Sequence, residues 1–142
     1  MIVHPAVIVH GVEDAAAALA PGLPVTLLSA PGAALYAGCL WWREMVAAAH
    51  ARHAHITARE HTNAIDILDC AAASGQAMGA LRSGVCRLVL CPDAPGWDAL
   101  AEIAQRQGGF VLPQAPIALD LGQRNAIRRL HGWLLEAGRD GG

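Results

Sequence analysis

The chain has 142 residues, of which 54% are hydrophobic and only 4% aromatic, and its formal net charge is −2 with a pI near 6.3. This length predicts a single domain over residues 1–142, with one core that needs neither metal nor disulfide. All ten basic residues are Arg and they are spread along the chain. This distribution argues against nucleic-acid binding, and the absence of Lys excludes a P-loop or Schiff-base lysine.

Membrane association and secretion are not expected. Residues 1–5 lack a basic region followed by a long apolar stretch, as a secretory signal would have. Residues 15–42 carry no charge, but Pro and Gly divide them into pieces shorter than the roughly 20 apolar residues of a membrane helix. The four Cys residues show no metal-finger spacing and are typical of reduced, buried thiols. We therefore expect a cytoplasmic protein.

Short apolar runs rich in β-branched residues alternate with helical patterns along the chain. These runs predict five strands, at residues 6–9, 25–28, 65–70, 86–90 and 110–112. Helices are predicted at about residues 13–20, 33–52, 74–84, 97–107 and from 120 or 122 to 137. Residues 116–121 are ambiguous between an extended segment and the approach to the last helix.

This alternation predicts an α/β fold, a doubly wound parallel sheet of about five strands with helices on both faces. The flavodoxin-like strand order 2-1-3-4-5 is the simplest arrangement for this number of strands. Ligands of such sheets bind at the carboxyl ends of the strands, where the winding reverses between the first and third strands. The residues that end these two strands are therefore candidates for a site.

Three of these residues could perform catalysis: His10 after the first strand, and Asp69 and Cys70 at the end of the third. A carboxylate and an imidazole could exchange a proton, and a thiol near a helix N-terminus could act as a nucleophile. The alternatives are that Asp69 is a cap or turn residue and that Cys70 is an inert buried thiol. Cys91, which follows the fourth strand, would be an outer neighbour of the same crevice.

Two glycine-containing turns could bind a small anion through backbone N–H groups at helix starts. Ser29 and Gly32 belong to the first turn, and Ser74 and Gly75 to the second. Neither turn has a dinucleotide-binding or P-loop pattern, so no cofactor is predicted. The four-residue spacing of Gly75 and Gly79 has an alternative structural explanation, namely close packing of the helix on the sheet.

Four histidines in a short polar region suggest a metal site: His50, His53, His55 and His61. His50 and His53 could share one helix face, because they are three residues apart. The region contains neither Cys nor a nearby Asp, so an ordinary surface cluster is the alternative interpretation.

The long helix predicted at residues 33–52 carries Trp41 and Trp42, about 100° apart around the helix axis. One sheet cannot easily bury both rings, so one of them is expected at an edge or in a subunit contact. Gly38 and Met45 lie on the same stripe of this helix as Trp41, next to the stripe that carries Trp42. These four residues could form a homodimer interface, and the alternative is that they belong to the core of one chain.

No motif identifies a reaction, and the sequence leaves open whether the protein is an enzyme. The favoured interpretation is a non-catalytic module that forms a homo-oligomer, a dimer in the simplest case, and binds a small ligand or a protein partner. The first alternative is a small enzyme that uses Asp69, Cys70 and His10. The second is metal binding by the histidine cluster.

Overall fold

The computed structural model describes residues 4–58 and 62–140. In these ranges the strands are β1 (Ala6–Ile8), β2 (Val25–Leu28), β3 (Ala64–Asp69), β4 (Arg87–Val89), β5 (Phe110–Leu112) and β6 (Ala118–Asp120). The helices are α1 (Val12–Leu19), α2 (Ala33–Tyr36), α3 (Cys39–Thr57), α4 (Ser74–Arg82), α5 (Trp97–Arg106) and α6 (Ala126–Asp140). The strands form a parallel sheet in the order β5-β4-β3-β2-β1-β6. The predicted α/β fold with a parallel sheet is therefore confirmed.

The number and order of the strands differ from the prediction. A sixth strand, β6, lies within the ambiguous segment, and it pairs with β1 so that Ala6 faces Ala118 and Ile8 faces Asp120. The other side of β1 pairs with β2. Both edges of β1 are therefore occupied, and the flavodoxin-like order, which requires β1 beside β3, is wrong.

The helix predicted at residues 33–52 is two helices, α2 and α3. Gly38 lies between them with φ at +89°, in the left-handed region where glycine is favoured. The residues on both sides of Gly38 are helical, but the backbone changes direction at Gly38. The second helix also runs further than predicted, to Thr57.

The chain divides into two compact units, and the boundaries pass through α3 and β3. Unit 1 comprises Met1–Leu28, Met45–Asp66 and Pro116–Gly142, and it contains the parallel strands β2, β1 and β6. Helix α1 packs on β2 and α6 packs on β6. The indole N–H of Trp133 in α6 donates a hydrogen bond to the Ala6 carbonyl at 2.8 Å, which ties this helix to β1.

Unit 2 comprises Ser29–Glu44 and Ile67–Ala115, with the end of β3 followed by β4 and β5. Helix α5 packs on β5 and on α4, and α4 also contacts α2. Gly109 precedes β5 where the backbone passes very close to Cys86, since a Cβ at Gly109 would lie 1.9 Å from the Cys86 carbonyl oxygen. The expectation of one domain over the whole chain stays a prediction. No helix in the described ranges is long and apolar enough to span a membrane.

Candidate functional site

Asp69 ends β3 and is almost completely buried, with 7% of its surface exposed. Its backbone N–H donates a hydrogen bond to the Ser29 hydroxyl at 2.9 Å. Ser29 is 1% exposed, and its hydroxyl donates in turn to the Ala30 carbonyl at 3.2 Å. The Ser29 side chain, predicted as part of an anion site, is thus hydrogen-bonded to backbone groups of Asp69 and Ala30.

The Asp69 side chain shapes the turn that follows β3. Its Oδ1 accepts a hydrogen bond from the Ala71 N–H at 2.8 Å, as in turns where Asp bonds to the backbone two residues on. Ala71 has φ at +52°, a left-handed conformation that disfavours residues with a Cβ. The Ala71 carbonyl accepts a hydrogen bond from the Cys91 N–H at 2.7 Å. Asp69 is therefore a turn residue, and the Ala71 N–H of this turn orients its carboxylate.

A cavity of about 540 Å³ opens at this turn, within the size range of small-molecule sites. Its lining residues come from the carboxyl ends of β3 to β5 and from the loop after β2: Pro31, Gly32, Asp69, Ala71, Ala72, Val89, Cys91 and Pro113. Among these residues Asp69 is the only one with a formal charge, and apart from Cys91 the rest are apolar. The cavity is thus an apolar depression with one carboxylate, referred to below as the Asp69 cavity.

The Asp69 carboxylate has no counter-charge in the part of the chain that the structure describes. Asp120, Glu44, Glu13 and Glu102 each form an ion pair, whereas no Arg or His lies within ion-pair distance of Asp69 among the described residues. A buried carboxylate is costly unless it is paired or hydrogen-bonded. The single N–H of Ala71 compensates this charge only in part.

The two cysteines at this end of the sheet differ in their surroundings. Cys70 is 0% exposed. Burial, together with the neighbouring Asp69 and Cys39, raises the pKa of its thiol to about 12. The Cys70 thiol is therefore protonated at neutral pH, whereas Cys91 is partly exposed and lines the Asp69 cavity.

The second glycine-containing turn lies at the start of α4. The Ser74 hydroxyl donates a hydrogen bond to the Pro95 carbonyl at 2.6 Å. A Cβ at Gly75 or at Gly79 would meet nothing within 4 Å, so the structure does not support close helix packing as the reason for these glycines. Of the four residues considered for an anion, Gly32 is the one that lines the cavity.

His10 lies in unit 1, where it pairs with Asp120 at the carboxyl ends of β1 and β6. The distance from His10 Nε2 to Asp120 Oδ1 is 2.6 Å, and the Gly122 N–H donates to the same oxygen at 2.8 Å. A Cβ at Gly122 would lie 2.7 Å from His10 Nε2, so a larger residue there would displace the imidazole from its present position. The backbone N–H of His10 also bonds to Asp14 Oδ2 at 2.9 Å, which fixes the start of α1.

These contacts affect the pKa of Asp120 and show which atom donates in its bond to His10. Partial burial alone would raise the pKa of Asp120, but the hydrogen bonds from His10 and Gly122 and the charge of His10 lower it. Because an ionised carboxylate can only accept, His10 Nε2 donates the proton of this bond. Nδ1 of His10 has no partner among the described residues. In the neutral ring Nδ1 is an acceptor, so it could take a proton from a substrate.

The histidine cluster does not assemble into a metal site in the described ranges. His50 Nδ1 lies 3.2 Å from the Thr62 hydroxyl, and burial lowers the pKa of His50, with Asp66 acting against this shift and His53 adding to it. His53 is buried and His55 is exposed. His61 lies outside the described residues. Nowhere in residues 4–58 and 62–140 do three or more His, Cys, Asp or Glu side chains form a group that could hold a metal.

The paired tryptophans have different environments. Trp42 is 0% exposed and Trp41 is 37% exposed, with ring centroids 6.1 Å apart. The indole N–H of Trp42 is the one fully buried side-chain polar atom without a hydrogen-bond partner in the described ranges. Met45, also considered for an interface, is 7% exposed. One ring is therefore in the core and the other at the surface.

Sequence reasoning missed Asp120. Like Asp69, it is a carboxylate at the end of a short apolar strand, and Gly122 follows two residues later, but the sequence of this strand is ambiguous.

Comparison of the chain with protein-family models, curated proteins and solved structures finds no match. We therefore infer the function from the chemistry of the two sites described above.

Proposed function

We propose that the protein is a binding module for a small molecule, which it holds in the Asp69 cavity. The observation that supports this proposal is a nearly buried carboxylate without a counter-charge in the lining of an apolar cavity of about 540 Å³. The cavity lies at the carboxyl ends of parallel strands, where ligands of α/β sheets commonly bind.

The proposal can be tested by NMR with ¹⁵N-labelled protein and a library of small fragments. Bound fragments should shift the amide signals of Ala71, Ala72 and Cys91. Ala72 is exposed and lines the cavity, so Ala72→Leu should reduce these shifts by filling the mouth. Ala99→Leu, on the exposed side of α5 and away from the lining residues, is the matched control. Shifts that Ala72→Leu leaves unchanged, or the absence of any bound fragment, would contradict the proposal.

We also propose that the protein works in the cytoplasm as a homodimer. The partly exposed ring of Trp41 supports this proposal, as do its exposed neighbours in the same segment, Leu35, Tyr36 and Leu40. Light scattering at micromolar concentration should give the mass of two chains, and Trp41→Ala should shift it toward one. A single-chain mass for the unmodified protein would refute the dimer.

A second candidate function is acid–base catalysis by His10, and the 2.6 Å bond to Asp120 favours it. A carboxylate that orients an imidazole, with the other ring nitrogen unpartnered, is a recurring catalytic arrangement. Chromogenic ester and phosphate-ester substrates would reveal hydrolysis. His10→Asn should abolish any turnover, and His131→Asn, on the exposed side of α6, should leave it intact. Turnover that is unaffected by His10→Asn would exclude this function for the pair.

A further inference from the structure

The unbalanced charge of Asp69 indicates which ligands the cavity favours. One carboxylate oxygen, Oδ1, accepts a hydrogen bond from Ala71. The other, Oδ2, is not a fully buried unpartnered atom, since Trp42 Nε1 is the only such side-chain atom in the described ranges. Oδ2 therefore keeps accessible surface, and the residue lines the cavity. A ligand in the cavity therefore lies beside a carboxylate whose Oδ2 has no donor among the described residues.

The remaining lining argues against an anion and against a metal ion. It contains no Arg or His that could neutralise an anion beside Asp69. A metal ion would find two candidate ligands at most, Asp69 and Cys91, and no group of three His, Cys, Asp or Glu side chains suits a metal in the described ranges. The lining thus favours a cation, whereas the sequence suggested an anion at the glycine-containing turns.

The chemistry of the walls defines the rest of the ligand. Pro31, Val89 and Pro113 present apolar surface, which would pack against an aliphatic or aromatic group. An ammonium or amidinium group supplies the N–H donors and the positive charge that a desolvated carboxylate requires. One ligand that carries both parts would satisfy the cavity.

We infer that the Asp69 cavity binds a small organic cation, an ammonium or amidinium compound with a compact apolar body, with Asp69 as its charge partner. This inference rests on the proposed binding function, because it specifies the ligand of the same cavity. It assigns the charge recognition to Asp69 and the packing to the apolar wall.

Three probes of the same shape and different charge test the inference: benzylamine, benzyl alcohol and benzoate. Their dissociation constants are measured on the full chain from the amide shifts of Ala71, Ala72 and Cys91. We expect benzylamine to bind about tenfold or more tightly than benzyl alcohol, as a charged hydrogen bond would produce, and benzoate to bind least.

Asp69→Asn should abolish this preference while leaving benzyl alcohol binding nearly unchanged, because Asn can still accept the Ala71 hydrogen bond. Asp93→Asn is the matched control, since Asp93 is exposed, belongs to the same unit and does not line the cavity. This control should retain the preference for benzylamine. If Asp69→Asn does not fold, the comparison of the three probes on the unmodified protein still decides the matter.

The possible failures are distinguishable. Equal binding of benzylamine and benzyl alcohol, tighter binding of benzoate, or an amine preference that survives Asp69→Asn would overturn the inference and leave the proposed binding function standing. The same holds if other fragments shift the cavity amides and benzylamine does not. If no fragment of any charge binds there, the proposed function fails and the inference fails with it.

Discussion

The left-handed conformation of Ala71 makes a prediction in which neighbouring positions respond oppositely to the same substitution. Ala71 has φ at +52°, whereas the adjacent Ala72 is not among the residues with positive φ. Ala71→Gly should therefore stabilise the protein, and Ala72→Gly should destabilise it. Both positions line the Asp69 cavity, so the comparison probes the backbone of the candidate site itself.

Two opposing free-energy changes determine the size of the effect. Replacing Ala by Gly relieves the left-handed conformation, which costs a residue with a Cβ roughly 1–2 kcal/mol. It also gives the unfolded chain more freedom, which destabilises the folded state by about 0.5–1 kcal/mol. Ala71→Gly combines both changes and should raise the free energy of unfolding by about 0.5–1 kcal/mol. Ala72→Gly has only the second and should lower it by a similar amount.

Urea unfolding followed by circular dichroism measures both variants against the unmodified protein. The unfolded-state contribution is nearly the same at adjacent positions, so the difference between the two variants isolates the cost of the conformation at Ala71. We expect this difference to be about 1–2 kcal/mol. If Ala71→Gly destabilises the protein as much as Ala72→Gly does, the turn does not hold Ala71 in the left-handed region and the account of how Asp69 is oriented is wrong.

Three further predictions concern other features. Gly109→Ala should lower the free energy of unfolding by about 3 kcal/mol or more, because its Cβ would meet the backbone carbonyl oxygen of Cys86. The control Gly79→Ala, in an open helical position, should raise the free energy of unfolding by about 1 kcal/mol. If urea unfolding shows similar effects for the two variants, the close approach at Gly109 is contradicted. Cys70 should resist alkylation at pH 8 in the folded protein, and rapid modification of this thiol, detected by mass spectrometry, would contradict its burial. Because folding raises the pKa of Cys70 from 9.0 to about 12, its contribution to stability should be complete below pH 9 and lost as the pH rises toward 12. Because the pKa of Asp120 is lowered in the folded protein, its stabilising contribution is present above about pH 3.8 and is lost as the pH falls through the lower folded-state pKa. Asp120→Asn should remove this acid dependence, which is worth at most about 1 kcal/mol at a partly exposed pair. If the pH profile of unfolding does not change in this variant, the result counts against the bond to His10.

The strands could be predicted where apolar β-branched residues run together, as in β1 and β2, and so could the alternation with helices that produces a parallel sheet. The order of the strands could not, because it depends on β6. This strand is three residues long and lies between prolines and a glycine-containing turn, so its local pattern is weak. Its pairing with β1 is a tertiary contact that replaces the expected neighbour.

The position of Asp69 at the end of a buried strand could also be predicted, since the switch from strand to helix is clear there. Its surroundings could not. An alanine gives no sign of a left-handed conformation, and the hydrogen bond that holds Ala71 to Cys91 joins residues 20 positions apart. The pairing of His10 with Asp120 spans 110 positions and required knowledge of β6. The local sequence thus predicts where strands end, but long-range pairing determines which residues lie next to each other at those ends.

The turn after β3 has an evolutionary consequence. Asp69 is oriented by main-chain groups at Ala71, and Ala71 is held in turn by the main-chain N–H of Cys91, so the side chains at these two positions contribute none of the bonds. Pro is excluded at both positions because each N–H is needed, and the left-handed backbone at position 71 favours Gly over residues with a Cβ. Only the Asp69 carboxylate and the Ser29 hydroxyl bond through their side chains. Selection for the hydrogen bonds of this turn would therefore act on two side chains that lie forty positions apart in the sequence.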